Sequence, residues 1–362
     1  MSTFKTLKIG SYEVRYPLIQ GGMGARISGG SLAGHVAKCG GIGIVAAAGI
    51  GMNSPLFTGR NYFEADSAAL QVELKKAYEI APDGVIGVNV MVALSDYEDL
   101  VAASIEAGAK VIICGAGLPL TLPGLTKHAP HVALIPIVSS VRAAQLIAKK
   151  WDKTYNRLPD AVIVEDPDTA GGHLGEKLEN IGNGNYDQYA TVRGVKEFFL
   201  NEYDRHIPVI AAGGIWDRKD MMHALAEGAD AVQMASRFVA TVECDAAENF
   251  KQAYIDCRKE DIGLIMSPAG LPGRAIIKNK QKLFTFDEKN GTVCATGCLK
   301  KCTYKESRER FCIVKALDRA QRGDVETGIV FCGSNAYKAD RIVTVHDIFV
   351  ELFAQEQVEE AA

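Results

Sequence analysis

Short apolar runs, each closed by glycine, proline or polar residues, recur through the first two thirds of the chain: residues 18–20, 42–45, 85–90, 111–113, 133–137, 161–164, 209–212 and 231–234. Runs this short and continuous, without apolar–polar alternation, suit strands buried on both faces of a parallel sheet. Between several of them the pattern turns helical, at 96–106, 140–150, 191–201 and 217–227. Asp or Ser stands at several of these starts, where the free amides of a first turn want an acceptor. Two of the helices stop alike. Ala107-Gly108-Ala109-Lys110-Val111 and Glu227-Gly228-Ala229-Asp230-Ala231 each offer a glycine for a left-handed cap before the next strand.

Eight β runs alternating with helices suit a closed barrel or a doubly wound open sheet. The glycines separate the two. A nucleotide-binding open sheet concentrates them in one Gly-x-Gly-x-x-Gly turn, whereas here glycine-rich turns follow many strands: Gly21-Gly22-Met23-Gly24, Gly115-Ala116-Gly117, Gly171-Gly172 and Gly213-Gly214. Barrel sites are assembled from many such C-terminal loops, so the expected fold is a (β/α)₈ TIM barrel over residues 1–262. A C-terminal segment with clustered cysteines, residues 263–362, is expected to pack back on it. Two polar stretches, 53–81 and 175–189, read as insertions on the site side, serving as lids or as plain surface loops. Beyond the eighth strand, 246–259 reads as the last barrel helix, 313–322 as a further helix and 331–353 as a closing segment.

Composition narrows the function. A chain of 362 residues with 48% hydrophobic and 23% charged residues has a globular balance. A formal net charge of −4 leaves no basic excess to neutralise a phosphate backbone, so nucleic acid is not an expected partner. The opening residues lack an apolar signal region, and no run reaches the roughly 18 apolar residues of a membrane span. A cytoplasmic protein acting on a small-molecule substrate is expected, with a homodimer allowed for. Nine cysteines without such a signal argue for reduced thiols or a metal site rather than a disulfide framework.

The chemistry gathers at the turns. Ala212-Gly213-Gly214-Ile215 after the seventh strand and Ala235-Ser236-Arg237 after the eighth stand where barrels commonly bind phosphate through backbone amides, with Ser236 and Arg237 as added donors. A tight turn that binds nothing would carry the same glycines. Gly21-Gly22-Met23-Gly24 has the wrong spacing for a dinucleotide fingerprint and suits a planar ring lying against backbone, or simply a flexible turn. Asn89 ends its strand with an amide that both donates and accepts, as the edge of a flavin requires; a capping role is the alternative. His173, in Ala170-Gly171-Gly172-His173 beyond the sixth strand, is set in a mobile or unusual backbone, and the unperturbed pKa of a histidine suits proton transfer near neutrality. His35, His128, His131, His206, His223 and His346 have no such setting.

Ile19-Gln20-Gly21-Gly22-Met23-Gly24, Ala170-Gly171-Gly172-His173, Ala211-Ala212-Gly213-Gly214-Ile215, Gln233-Met234-Ala235-Ser236-Arg237-Phe238 and Leu271-Pro272-Gly273-Arg274-Ala275, taken in order, resemble the nitronate monooxygenase family. That family, formerly 2-nitropropane dioxygenase, shares its barrel with FMN-dependent enoyl-acyl-carrier-protein reductases. The resemblance covers about residues 16–274 and resumes weakly near 331–336. It implies FMN contacts from Gly22, Met23, Asn89, Gly171, Gly172, Gly213, Gly214, Ala235 and Ser236, with His173 near the reacting carbon as a substrate-binding group or base. Ala235-Ser236 replaces the family's usual Gly-Thr, which leaves the individual phosphate donors open.

Cys294-x₃-Cys298-x₃-Cys302-x₉-Cys312 is where the chain departs from these relatives. If Gly297 does not break a helix, the first three sulfurs share a stripe at i, i+4 and i+8. Gathered thiolates would hold an iron–sulfur cluster or zinc, although the spacing matches no standard pattern of either kind, and buried free cysteines are the alternative. Cys332 stands where relatives carry a glycine motif near the flavin. The expected activity is an FMN-dependent oxidation of alkyl nitronates, or of a similar small activated substrate, with oxygen. An NAD(P)H-dependent reduction of an enoyl thioester or quinone is the second expectation, and a flavin-binding electron relay or redox sensor the third.

Overall fold

The computed structural model describes residues 4–52, 54–278, 294, 296–307 and 311–353. A hairpin, β1 (Leu7–Ile9) and β2 (Tyr12–Val14), precedes β3 (Leu18–Gln20), β4 (Ile42–Ala46), β5 (Val85–Met91), β6 (Val111–Gly115), β7 (Ala133–Val138) and β8 (Val162–Glu165). A two-residue strand, β9 (Gly172–His173), is followed by β10 (Val209–Ala212), β11 (Ala231–Met234), β12 (Ile262–Met266), β13 (Pro272–Ile276) and β14 (Val330–Phe331). Strands β3 to β8, β10 and β11 pair in parallel and close on themselves, the seam made by Val232 beside Leu18 and Met234 beside Gln20. The fold is a (β/α)₈ barrel.

Alternation along these strands builds two cores. Ile19, Ile42, Ile44, Val111, Ile113, Ile135, Ile163 and Ile210 form one cluster, while Leu18, Val45, Val88, Ile112, Leu134, Val164 and Ala211 join the helix-covered layer. Leu7, Ile9 and Val14 of the hairpin belong to the first cluster, so β1 and β2 plug the barrel. Gly10, at the hairpin turn, lies beside Asp160 and Ala133 where strands begin, which makes the plug a seal on the N-terminal end. The eight strand positions read from apolar runs are all present, and several run one or two residues further.

Helices follow the strands at Gly30–Lys38, Tyr62–Ile80, Tyr97–Glu106, Leu122–Leu125, Val141–Tyr155, Gln188–Tyr203, Arg218–Ala226 and Glu248–Ile255. Ser140 and Asp217 cap theirs, accepting from Ala143 N and Asp220 N at 3.2 and 3.0 Å. Asp96 does not: it is 2% exposed and neither carboxylate oxygen has a partner. Gly108 and Gly228 take the expected left-handed conformation, with φ of +82° and +106°. The stretch 53–81 is mainly no insertion, because Tyr62–Ile80 is the regular helix between the second and third barrel strands; Asn53 lies outside the described residues.

The C-terminal residues wrap the barrel. β13 pairs antiparallel with β12, β14 and β9, making a small sheet beside the open end. The last helix, Val345–Phe353, buries Phe349 and Phe353 against Tyr16, whose ring stacks on Phe353 at 4.1 Å. Among the described residues no helix is long and apolar enough to cross a membrane.

Candidate active site

At the C-terminal end of the barrel the chain must turn sharply eight times, and several walls are backbone. Gly213 and Gly214 have φ of +99° and +70°, where a side chain would be strained and would also crowd the Thr169 hydroxyl at about 3 Å. Ser236 opens a 3₁₀ turn, its hydroxyl accepts from Gly333 N at 2.8 Å, and Asn335 Nδ2 donates to Gly214 O at 2.7 Å. These two bonds bind the loop after β14 to the turns after β10 and β11. Among the described residues no carbonyl accepts from the amides of Gly213, Gly214, Ala235 or Ser236. Four free donors converging on one cavity fit an anionic phosphate.

Two other glycines are explained by neighbours. A Cβ on Gly22 would lie 2.4 Å from Asn89 Cβ, and one on Gly171 would lie 2.5 Å from the backbone of Cys332 and Gly333. Gly22 thus lets Asn89 sit flush beside the first turn, and Gly171 admits the C-terminal loop.

His173 sits in a strand, not a mobile turn: Gly172 and His173 pair with Arg274 and Gly273 of β13. Its Nε2 is 2.7 Å from Ser267 Oγ, and its ring meets Phe331 edge-on with centroids 5.1 Å apart. Ser267 also accepts from Ala269 N at 3.2 Å, which holds the hydroxyl in place. Burial pulls the His173 pKa down to about 4, so the imidazole is neutral at physiological pH. The segment leading to His173 is clamped by buried Arg274, whose guanidinium donates to Ala170 O and, at 3.2 Å, to Pro167 O. Asp166 is engaged by the Thr169 hydroxyl at 2.6 Å and by Asp168 N at 2.8 Å. Beside it, burial and then the Asp166 charge push Glu165 up to about 7, against the pull of Arg274.

One cavity of ≈ 230 Å³ is lined by Gly22, Met23, Asn89, Gly171, Gly172, His173, Gly213, Gly214, Ala235 and Ser236. All ten flavin-site residues expected from the sequence meet there. Arg237 does not join them: its guanidinium pairs with Glu351 at 2.6 Å and lies over the Trp216 ring. Sequence reasoning missed Glu165, Trp216, Tyr254 and Asn335, which line the same cavity, and Ser267, which orients His173. Glu165 could have been found, since it is the last residue of a barrel strand, where catalytic groups concentrate. Cys332 lines the cavity as well, with its thiol pushed up by burial.

The cysteine segment is not the expected helical stripe. Gly297 has φ of +58° and interrupts any helix, and the next helix starts only at Thr303. Residues 297–300 form a strap over the loop after β5. Leu299 bridges to Leu94, Ser95 N donates to Cys298 O at 3.0 Å, and Lys300 N donates to Ala93 O at 3.0 Å. Even so, Cys294, Cys298, Cys302 and Cys312 all line one cavity of ≈ 10 Å³. Among the described residues no three acidic, histidine or cysteine side chains stand in ready ligand geometry.

A family model described as nitronate monooxygenase matches residues 5–355. A (3aS,4S,5R,7aS)-5-hydroxy-7a-methyl-1-oxo-octahydro-1H-indene-4-carboxyl-CoA dehydrogenase of Rhodococcus jostii is 28% identical over 76% of this chain and 67% of its own length. A probable nitronate monooxygenase of Staphylococcus saprophyticus is 26% identical over 74% of this chain and 77% of its own. Among solved structures, FabK of Thermotoga maritima superposes with a TM-score of 0.70 at 27% identity, covering 96% of this chain and 95% of that one. Nitroalkane oxidase of Streptomyces ansochromogenes, at 19% identity and a TM-score of 0.69, shares the fold.

Proposed function

Because the chain belongs to the nitronate monooxygenase family and is a flavin-dependent oxidoreductase, we propose that it binds FMN in the barrel mouth and oxidises an alkyl nitronate, or a similarly small activated substrate, with oxygen. The observation that carries this reading is a neutral His173, held by Ser267 and by β13, on the wall of the cavity into which the glycine-rich turns open.

The amides of Gly213, Gly214, Ala235 and Ser236 would hold the phosphate, and Gly22, Met23 and Asn89 would flank the ring. When bound, FMN supplies the two-electron redox chemistry. Ser267 fixes the His173 ring through one nitrogen, which leaves the other to hydrogen-bond a nitronate oxygen or, if the neutral nitroalkane enters, to take the α-carbon proton that converts it to the nitronate. Phe331 against the ring and Arg274 beneath the loop keep that nitrogen in place. The proton has a second station in Glu165, poised near neutrality on the same cavity.

A second reading has its own support. FabK matches nearly the whole chain, and the Rhodococcus relative is named for a CoA ester, which favours an NAD(P)H-dependent reduction of an acyl thioester. An anaerobic absorbance spectrum of the purified protein separates the two. The oxidase reading expects flavin bands that NADH leaves unchanged and that a nitronate bleaches, with rapid oxygen uptake once air is admitted. Bleaching by NADH alone, with no oxygen uptake on nitronate, would replace it with the reductase, and a protein purified without flavin bands would sink both.

A further inference from the structure

Four thiols that the flavin chemistry does not use converge on one point. Cys294, Cys298, Cys302 and Cys312 are spread over nineteen positions of the chain, yet all four line a single cavity. The Cys298 thiol lies in the field of each of the other three. The Thr296 side chain is hydrogen-bonded to Cys298, and Lys305 lines the same cavity, so a donor and a cation already accompany the sulfurs.

We propose that these four cysteines form a tetrathiolate site for one thiophilic ion of the zinc class, which pins the 294–312 strap across the rim of the active site. Four sulfurs and no other ligating group select a soft ion of tetrahedral preference. The space left between the sulfurs is ≈ 10 Å³, about that of a single water-sized sphere, which matches one ion. Among the described residues no three of the thiols stand at ligand geometry, so binding rearranges the sulfurs around the ion, each releasing its proton to solvent.

The strap's connections say what the ion would hold. On one side Leu299, Cys298 and Lys300 bond to residues 93–95, the loop that continues from Asn89 and Met91 in the cavity wall. On the other, Thr303 N donates to Pro268 O at 2.9 Å, next to Ser267 and its bond to His173. The same loop carries Asp96, buried with both oxygens unpartnered, an arrangement that costs stability in this region. An ion bound only by the closed arrangement would offset that cost by mass action.

The test is the metal content of the full-length protein, purified anaerobically with reductant and without chelator, measured by mass spectrometry beside acid-labile sulfide. About one zinc per chain and negligible sulfide are expected. In the Cys298→Ser, Cys302→Ser variant zinc should fall at least tenfold, whereas Cys39→Ser, far from the strap, should keep it. If the double variant does not fold, the wild type still decides: titration with a thiol reagent should release the zinc as four protected thiols react. Cobalt exchanged into the site should give intense thiolate charge-transfer bands. Wild type with under a tenth of an equivalent of metal after growth with zinc, and with all nine thiols reactive on denaturation, would overturn the proposal. Iron accompanied by equimolar sulfide would overturn the single-ion assignment. None of these readouts depends on the flavin reaction.

Discussion

The two ends of the barrel are built on opposite principles. At the N-terminal end, Leu7, Ile9 and Val14 drive into a cluster of isoleucines and valines, and Ile9 is completely buried. At the C-terminal end the walls are glycine backbone, the loops are tied by single hydrogen bonds, and ionisable groups sit with displaced pKa values. One end stores stability in apolar burial, which tolerates no opening. The other gives up burial for free amides and a neutral imidazole, which only a rigid floor beneath them allows.

If the division is real, changes at each end should separate activity from stability. The largest effect is expected for His173→Ala, which should lower kcat/KM by roughly 10²–10⁴ while the flavin spectrum and thermal midpoint stay near wild type. Steady-state kinetics beside a thermal melt would check it, and a melt that collapses with activity would make His173 a packing residue. Next comes Ile9→Ala in the plug, expected to cost about 2–5 kcal/mol in denaturant unfolding and leave kcat unchanged. Loss of bound flavin at a temperature where this variant is still folded would show that the ends are coupled. Asp217→Ala removes only a helix cap on the outer layer, so about 1 kcal/mol of stability and no activity should be lost.

The finest test uses pH. His173 titrates near 4 in the folded chain against an ordinary value near 6.5, so between these values the unfolded chain holds more protons. From this group, stability therefore rises with pH across that window. Glu165 is displaced the other way, to about 7 from 4.5, so the folded chain holds the extra proton and its contribution falls as pH rises from 4.5 to 7. The two slopes oppose one another between 4.5 and 6.5. Stability should be nearly flat there in the wild type, rise with pH in Glu165→Gln and fall with pH in His173→Asn, as read from urea midpoints across that range.

The barrel was largely legible because a strand buried on both faces must be apolar throughout, and helices between such strands must be amphipathic. Ile42–Ala46 and Val209–Ala212 show this directly: every residue in them is buried. That the ten expected residues would meet at one cavity was legible too, since glycines at strand ends mark where backbone can face a ligand, and the family resemblance supplied their order. What the local pattern could not carry was contact between distant segments. Asp96 looked like a cap, but its side chain is buried without a partner instead of turning back to the helix. Arg237 looked like a phosphate donor, but Glu351, more than a hundred positions later, takes it.

The sequence by itself determined the alternation of strands and helices, the glycine turns at one end of the barrel, and a histidine framed by glycines, because these depend on the periodicity and conformational freedom of neighbouring residues. Only the tertiary structure decided that β13 crosses to pair with His173, that Ser267 and Arg274 fix its ring and loop, and that four cysteines converge without a helix between the first three. The contacts around His173 depend on chain closure over roughly a hundred residues, and no local pattern encodes which distant partners meet.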